Sequence, residues 1–367
     1  PMTTEEGRNE LYMYSLKKMA DRNSETERIT LTGLYGIVPF FYKANECMLN
    51  HPELNFALIR MDIYRFKTVN EFYGREVGDQ ILKYISDCFR IYESETTVIG
   101  HIRSDIFQLL TPYETDDDLI TIVKNLNDKI EKFQVQCKIL PAFGICKQDM
   151  HMDIALLSDY ANLALQTVKG KVFSCYAFYD EKMRQDLLYE KKIENEILSA
   201  LEEKQLQVYI QPKVHMKTKE IVGGEALVRW IHPIDRMISP SAFIPILEKS
   251  GYIIEVDTYV WKELFSLLKK QMDQQLPVLP ISLNVSRLHA FRDDFEEVLL
   301  ALTKKYEIDP SMIILEVTES SFTENADLLF HRLHHLQDLG FLISMDDFGS
   351  EYSSMNMLKD EPVDEIK

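Results

Sequence analysis

Residues 341–347 read Phe-Leu-Ile-Ser-Met-Asp-Asp, an apolar run that ends in two adjacent aspartates. Two earlier runs have the same form, residues 280–284 (Pro-Ile-Ser-Leu-Asn) and residues 313–316 (Ile-Ile-Leu-Glu). Successive runs end about 30 positions apart, which is the length of one strand followed by one helix. Such units, each with a ligand-type side chain at the strand's C-terminal end, are typical of a (β/α) barrel with its site on that rim. An open α/β sheet explains the spacing equally well, and the convergence of carboxylates favours the barrel.

Oxygen-bearing side chains end these three runs and a fourth run at residues 221–225. Carboxylate and amide oxygens are ligands of Mg²⁺ or Mn²⁺ rather than of Zn²⁺. Adjacent aspartates repel each other unless a cation lies beside them, and two ions about 3.5–4 Å apart can polarise a phosphodiester for in-line attack. Each acid alone is explained as well by a helix cap or a solvated loop, but the five together favour an ion site. The five are Glu225, Asn284, Glu316, Asp346 and Asp347.

Composition and charge narrow the class of protein. Hydrophobic residues make up 46% and charged residues 27%, a balance typical of soluble globular domains. The formal net charge of −18 argues against nucleic acid as a partner, because such binders need surplus Lys and Arg. The five cysteines are spread singly and are expected to be reduced thiols. We therefore expect a cytoplasmic location, with a membrane or sensor region upstream left open.

The chain divides into three predicted parts. Residues 1–28 are polar with one narrow apolar stripe, which predicts a linker helix that pairs with a second copy in a homodimer. Residues 29–180 alternate between strand and helix patterns and predict a mixed sheet with flanking helices. Residues 181–204 are rich in Glu, Lys and Leu and predict a helix at the joint between the two domains. The fold class is therefore α/β throughout, with a second domain at residues 181–367.

The second domain resembles the EAL-domain cyclic di-GMP phosphodiesterases in several ordered segments. They cover nearly everything from about residue 190 onward and are far more specific together than one short motif. The segments are 211–212 (Gln-Pro), 225–230 (Glu-Ala-Leu-Val-Arg-Trp), 232–233 (His-Pro), 239–240 (Ser-Pro), 243–245 (Phe-Ile-Pro), 284–286 (Asn-Val-Ser), 316–319 (Glu-Val-Thr-Glu), 346–349 (Asp-Asp-Phe-Gly) and 352–354 (Tyr-Ser-Ser).

The resemblance implies a role for each matching residue. Metal ions would be held by Glu225, Asn284, Glu316 and Asp346, with Asp347 on the second ion. Gln211 and Arg229 would contact the substrate, Glu319 would hold the loop that follows Asp347, and Lys367 would lie beside the catalytic water. The implied reaction opens one phosphodiester of cyclic di-GMP to give linear pGpG, with Mg²⁺ or Mn²⁺ as cofactor.

Two departures from the family pattern bear on this expectation. Glu351 stands where the family usually has a glycine, at a cost of about 1 kcal/mol if the backbone needs a positive φ. A complete barrel also needs about 250 residues, more than residues 190–367 supply. We therefore expect an incomplete barrel that does not turn over substrate without further strands. The alternative function is a catalytically inactive receptor or interaction scaffold for cyclic di-GMP or GTP.

The first domain resembles a GGDEF domain whose naming motif has changed. The resemblance rests on residues 31–34, 61–67, 159–161 and 169–170 with Asn70, Gly74, Gly78 and Asp79, and it implies that Asp62 is a metal ligand and that Asn70 and Asp79 read a guanine. Residues 103–107, however, read Arg-Ser-Asp-Ile-Phe, without the two glycines of the phosphate-binding turn. Ser94 and Thr97 stand where the family's product-inhibition site has Arg and Asp. We therefore expect no cyclase activity and either a regulatory GTP pocket or a spacer.

Overall fold

The computed structural model describes residues 28–133, 138–149, 152–171, 174–322, 326–349 and 362–367. The predicted linker helix at residues 1–28 lies outside these ranges except for Arg28, and so does Glu351. The chain forms two compact units that divide between Leu187 and Leu188. This point lies inside the helix that was predicted as the joint, which the structure places at Glu181–Glu202.

The first unit is a five-stranded mixed sheet with helices on both faces. The strand order is β2-β3-β1-β4-β5, antiparallel except for the parallel pair β4 and β5. The mixed sheet with flanking helices predicted from the sequence is therefore confirmed. The elements are α1 (Ile37–Asn50), β1 (Phe56–Ile63), α2 (Phe66–Tyr73), α3 (Arg75–Arg90), β2 (Val98–Arg103), β3 (Ile106–Pro112), α4 (Asp116–Glu131), β4 (Pro141–Lys147), α5 (Ile154–Val168) and β5 (Tyr176–Phe178). Helix α6 (Glu181–Glu202) begins in the first unit and ends in the second.

Strand β1 shows why the sheet is covered on both sides. Ile59 and Met61 pack into a core with α3 and α4, whereas Phe56 and Leu58 pack into a second core with α1 and α5. Successive side chains of a strand point to opposite faces, so a strand that is apolar at every position needs a helical layer on each side. This burial explains the continuous apolar run at residues 56–59.

The second unit is a seven-stranded sheet packed against helices. The strand order is β12-β11-β10-β9-β7-β6, with β8 also paired to β7. Strands β7, β9, β10, β11 and β12 are parallel, and β6 and β8 run antiparallel to β7. The elements are β6 (Leu206–Val214), β7 (Ile221–His232), β8 (Arg236–Ile238), α7 (Pro240–Ser250), α8 (Ile253–Asp273), β9 (Ile281–Asn284), α9 (Arg287–Ala290), α10 (Phe295–Tyr306), β10 (Ile313–Thr318), α11 (Ala326–Asp338), β11 (Leu342–Asp346) and β12 (Glu365–Ile366).

Apolar and polar side chains alternate along β9, β10 and β11, so that one face of the sheet packs in the core and the other is polar. Leu283, Leu315 and Ile343 pack in the hydrophobic core, whereas Ser282 and Glu316 are polar residues buried on alternate positions. Because side chains alternate along a strand, every second residue of neighbouring strands shares one face. This face carries the predicted site residues.

Two of the predicted strand ends were wrong. Glu225 lies within β7 (Ile221–His232), and Glu316 is followed by Val317 and Thr318 in β10. Strand β7 continues past Glu225 because β6 pairs with it as far as Trp230 and β8 pairs with it at its far end. Side-chain polarity marked residues that share one face of the sheet but did not mark where backbone pairing stops.

Among the described residues, none of the helices combines the length and the apolar character required to cross a membrane.

Candidate active site

Three predicted carboxylates meet around the ammonium group of Lys367. Lys367 Nζ lies 2.8 Å from Glu225 Oε2, 3.2 Å from Glu316 Oε2 and 3.3 Å from Asp346 Oδ2. These residues come from β7, β10, β11 and the residue after β12, so the sheet brings together four strands that are far apart in the sequence. Burial would lower the pKa of Lys367, but its hydrogen bonds to the glutamates raise that pKa above its usual value. The Lys367 side chain therefore stays protonated and gives this face a positive charge.

Asn284 joins the same cluster, whereas Asp347 is exposed and contacts Asp346 through its backbone. The Asn284 amide donates to Glu225 Oε1 at 3.4 Å. Asp347 is exposed, has a left-handed backbone with φ 58°, and donates its N–H to Asp346 Oδ1 at 2.9 Å. The structure thus brings four of the five predicted ligands together, and the backbone of the fifth orients the carboxylate of Asp346.

Glu319 is buried below the segment that follows Asp347. Its carboxylate accepts a hydrogen bond from the Gly349 backbone N–H at 2.7 Å. Gly349 has φ 90°, a conformation that glycine adopts without a steric cost. The contact has the geometry needed to anchor this segment, which is the role that the sequence predicts for Glu319.

Gln211 and Arg229 occupy the neighbouring strands β6 and β7. Gln211 is exposed and stands opposite Glu225 in the antiparallel register. Arg229 donates to the carbonyl of Val228 at 2.8 Å and lines a cavity of about 310 Å³ that also borders Glu225 and Asn284. Both predicted substrate-contacting residues therefore lie beside the carboxylates.

A glycine lets β7 approach β9 closely enough to place Glu225 beside Asn284. A Cβ atom on Gly223 would lie 2.7 Å from the carbonyl oxygen of Pro280, and Gly224 N donates to the same oxygen at 3.1 Å. Real Cβ contacts are not that short, so only glycine fits against this carbonyl.

The cavity is also lined by Asp257, which forms a buried pair with His289 that sequence reasoning missed. Asp257, on α8, accepts a hydrogen bond from Ser286 N at 3.1 Å and lies 3.4 Å from His289 Nδ1. Burial raises the pKa of Asp257, and the contacts with His289 and Ser286 only partly offset this effect. Trp261 stacks on His289 and donates its indole N–H to the Asn284 carbonyl at 3.2 Å. These contacts support the backbone turn that carries Asn284.

Lys213 is a second lysine at this face that the sequence analysis did not select. Its ammonium contacts Ser282, Glu316 and Glu365. Strand alternation offered a signal, because Lys213 lies two residues after Gln211 and so shares its face of β6.

The oxygen donors of Glu225, Asn284, Glu316 and Asp346 suit a hard divalent cation, but the Lys367 ammonium lies among the three carboxylates. In their present positions, no three His, Cys, Asp or Glu side chains of the described residues enclose a metal-sized space. We attribute this to the Lys367 ammonium, which lies between the three carboxylates and separates them. The same geometry shows that the three acids face one common point and hold a cation there. Ser344 Oγ, buried on β11 beside Glu316, has no hydrogen-bond partner among the described residues and leaves a further polar atom at this face.

The predicted residues of the first unit do not form a cluster like the carboxylates of the second unit. Asp62, at the end of β1, accepts a hydrogen bond from Lys169 Nζ at 2.7 Å, and burial raises its pKa although Lys169 opposes this effect. Asp105 Oδ2 accepts from Ile63 N at 3.2 Å. Asn70 lies on α2 and packs close to Gly78, and Asp79 is exposed on α3. A lysine thus already occupies the carboxylate that was predicted to hold metal.

Comparison with known proteins agrees with the division of the chain into a first and a second unit. Residues 30–173 match the family model of the diguanylate cyclase GGDEF domain, and residues 194–367 match that of the EAL domain. A curated relative, the bifunctional diguanylate cyclase/cyclic di-GMP phosphodiesterase MucR of Pseudomonas aeruginosa, is 30% identical over 321 residues, which are 85% of this chain and 46% of MucR. The chain spans about half the length of the curated relatives it matches.

Two solved structures are also similar. The MucR phosphodiesterase in complex with cyclic di-GMP is 34% identical, with 48% of this chain and 71% of that chain covered and a TM-score of 0.46. Vibrio cholerae LapD, comprising S helix, GGDEF and EAL and bound to cyclic di-GMP, is 13% identical, with 97% and 85% covered and a TM-score of 0.50. The second likeness shows the fold alone. On the two matching family models, the chain belongs to the family of proteins in which a GGDEF domain is followed by an EAL domain.

Proposed function

We propose that the full-length protein hydrolyses cyclic di-GMP to linear pGpG at the EAL unit, with Mg²⁺ or Mn²⁺ as cofactor. The observation that carries this proposal is the convergence of Glu225, Glu316 and Asp346 on one cation, with Asn284 beside them. Degradation of cyclic di-GMP is the activity named for relatives of this family, including MucR of P. aeruginosa.

The position of each residue in the site indicates the role that it would have. Glu225, Asn284, Glu316 and Asp346 would hold the metal, which supplies positive charge to the phosphodiester and lowers the pKa of water. Lys367, whose ammonium lies among the same carboxylates, would lie beside the attacking water, and its charge would favour the developing negative charge on phosphate.

Substrate binding would use the cavity beside the carboxylates. Arg229 lines its wall together with apolar residues of α7 and α8, which gives both a positive charge for phosphate and a surface for a base. The volume of about 310 Å³ accommodates one nucleoside of the substrate while the phosphodiester stays at the carboxylates. Gln211, exposed opposite Glu225, would contact the substrate from the other side.

Chromatography of the full-length protein with cyclic di-GMP tests the reaction. We expect pGpG to form with Mn²⁺ or Mg²⁺, and Ca²⁺ to support binding with little turnover because its looser coordination positions water poorly. Glu225→Ala and Asp346→Ala should each lower kcat by at least about a hundredfold, equivalent to about 2.7 kcal/mol of barrier. Asp273→Ala, which removes a surface acid paired with Lys269, is the matched control and should leave the rate unchanged.

Two results would contradict the proposal. Near-normal turnover in either site variant would show that the carboxylates do not hold the metal. Absence of pGpG at saturating Mn²⁺, with cyclic di-GMP still bound, would favour the inactive receptor instead.

A further inference from the structure

Lys213 is held in place by three strands. Its Nζ lies 2.7 Å from Ser282 Oγ on β9, 3.0 Å from Glu316 Oε1 on β10 and 3.4 Å from Glu365 Oε2 on β12. An ammonium group has three N–H donors, and these contacts account for all three. Lys213 itself is on β6, so its side chain links the two edge strands of the sheet, β6 and β12, across the face that carries the site.

The two oxygens of Glu316 are consequently divided between two lysines. Oε1 accepts from Lys213, whereas Oε2 accepts from Lys367, which also contacts Glu225 and Asp346. The Glu316 side chain is fully buried, with 0% of its surface exposed. A buried carboxylate held at one oxygen cannot rotate without breaking a charge-assisted hydrogen bond. Oε2 is therefore the oxygen that faces the other carboxylates.

We propose that Lys213 is a positioning residue that restricts Glu316 to a single ligating oxygen and thereby selects the metal ion. This inference rests on the metal site of the proposed function. Ca²⁺ takes six to eight oxygens and readily accepts both oxygens of one carboxylate, whereas Mg²⁺ and Mn²⁺ favour octahedral sites built from single oxygens. With Oε1 committed to Lys213, the site discriminates against Ca²⁺.

The charge of Lys213 has a separate effect that the test must distinguish. A positive charge near the site weakens the binding of every divalent cation by Coulomb repulsion, to a similar extent for ions of equal charge. Removal of that charge alone would raise all affinities together. Only a change in the ratio of the Ca²⁺ and Mn²⁺ affinities reports the release of Oε1.

Calorimetric titration of the full-length protein with MnCl₂ and with CaCl₂, without nucleotide, measures this ratio. In Lys213→Met, we expect the affinity for Ca²⁺ relative to Mn²⁺ to rise about tenfold, equivalent to about 1.4 kcal/mol. Glu365→Gln is the matched control, because it weakens one contact of Lys213 and keeps the contact with Glu316. Its ratio should equal that of the wild type.

The outcomes separate this inference from the function on which it rests. Equal gains for both ions in Lys213→Met, or an unchanged ratio, would overturn the role of Lys213 while leaving the metal site intact. Failure of the wild type to bind either ion at millimolar concentration would overturn the metal site itself. Circular dichroism checks folding, and if Lys213→Met does not fold, Lys213→Leu removes the same ammonium and its contact with Glu316 Oε1. Lys213→Leu should shift the ratio in the same direction, and no shift would overturn the inference.

Discussion

At the scale of single residues, His101 stabilises the turn that replaces the family's glycines. Ser104 adopts φ 47°, a left-handed conformation that costs a non-glycine residue about 1 kcal/mol. The Ser104 carbonyl lies 2.6 Å from His101 Nε2, and Thr32 Oγ1 lies 3.1 Å from His101 Nδ1. A carbonyl only accepts, so Nε2 carries the proton and the neutral ring accepts from Thr32 at Nδ1. The buried imidazole thus offsets part of the backbone strain of a turn that glycine would make freely.

The protonation of His101 makes this turn sensitive to pH. Burial lowers the pKa of His101, although the bond to Ser104 and the charge of Asp105 partly oppose this effect. A group whose pKa is lower in the folded state contributes stability above its unfolded pKa of about 6.5, and this stability is lost as pH falls through the folded value. The free energy of opening of β2 and β3 should therefore decrease below pH 6.5, by at most about 1.4 kcal/mol per pH unit.

Hydrogen exchange of the β2 and β3 amides, corrected for intrinsic rates, measures this decrease. His101→Gln removes the titrating group, so its opening free energy should change less between pH 7 and pH 5 than that of the wild type. Equal pH dependence in the two proteins would show that His101 does not control the turn.

At the scale of elements, the distance between β7 and β9 determines whether Glu225 meets Asn284. Gly223 faces the Pro280 carbonyl, which is backbone and cannot rotate away. A Cβ atom on Gly224 would lie 2.6 Å from Ile210 Cγ2, the end of a side chain on the edge strand β6. A side chain at Gly223 would therefore clash with backbone, whereas a side chain at Gly224 would clash with a side chain that can move.

Gly223→Ala should destabilise the second unit by about 1–3 kcal/mol, because an added methyl in a packed region forces the strands apart. The displacement moves Glu225 relative to Asn284, so turnover should also decrease by about tenfold, since a misplacement of about 1 Å can cost a hundredfold. Denaturant unfolding and steady-state rates of the full-length protein measure the two effects. Gly224→Ala is the matched variant. It should lower the free energy of unfolding and the turnover rate less than Gly223→Ala does, because the Ile210 side chain can move. Equal or larger losses in Gly224→Ala would contradict this account.

At the scale of the whole molecule, we propose that the first unit binds a regulatory nucleotide through Asn70 and Asp79. Asn70 and Asp79 remain on adjacent helices, while Lys169 already neutralises Asp62 and the motif turn reads Arg-Ser-Asp-Ile-Phe. This combination is expected if binding was kept and cyclase chemistry was lost. The alternative is a spacer or dimer contact.

We expect GTP to bind residues 29–180 and to bind the full-length protein more tightly when cyclic di-GMP is present. The two ligands must change each other's affinity by the same factor, because coupling free energies are reciprocal. Calorimetry measures both affinities. Asn70→Ala should weaken GTP binding, and Asn162→Ala, which alters a surface amide that contacts Gln166 on α5, is the control. Failure to bind GTP at millimolar concentration, or binding unchanged in Asn70→Ala, would support the spacer.

The sequence by itself indicated which residues are candidates for the chemistry and what kind of elements hold them. The runs that end at Asn284 and Asp346 predicted the ends of β9 and β11, and the strand and helix patterns of residues 29–180 predicted the mixed sheet that includes β1. These predictions succeed because strand periodicity and the chemistry of polar side chains are local properties of the chain.

Only the tertiary structure decided which of these residues meet. Lys367 contacts Glu225 across 142 positions of sequence, and Lys213 contacts Glu316 across 103. No local pattern encodes such pairs, because parallel strands are ordered in the sheet by long-range packing and by backbone pairing. The same packing carried β7 past Glu225, divided the oxygens of Glu316 between two lysines and left Asp347 exposed. The candidate residues could thus be selected from the sequence, whereas their arrangement required the sheet that brings distant strands to one face.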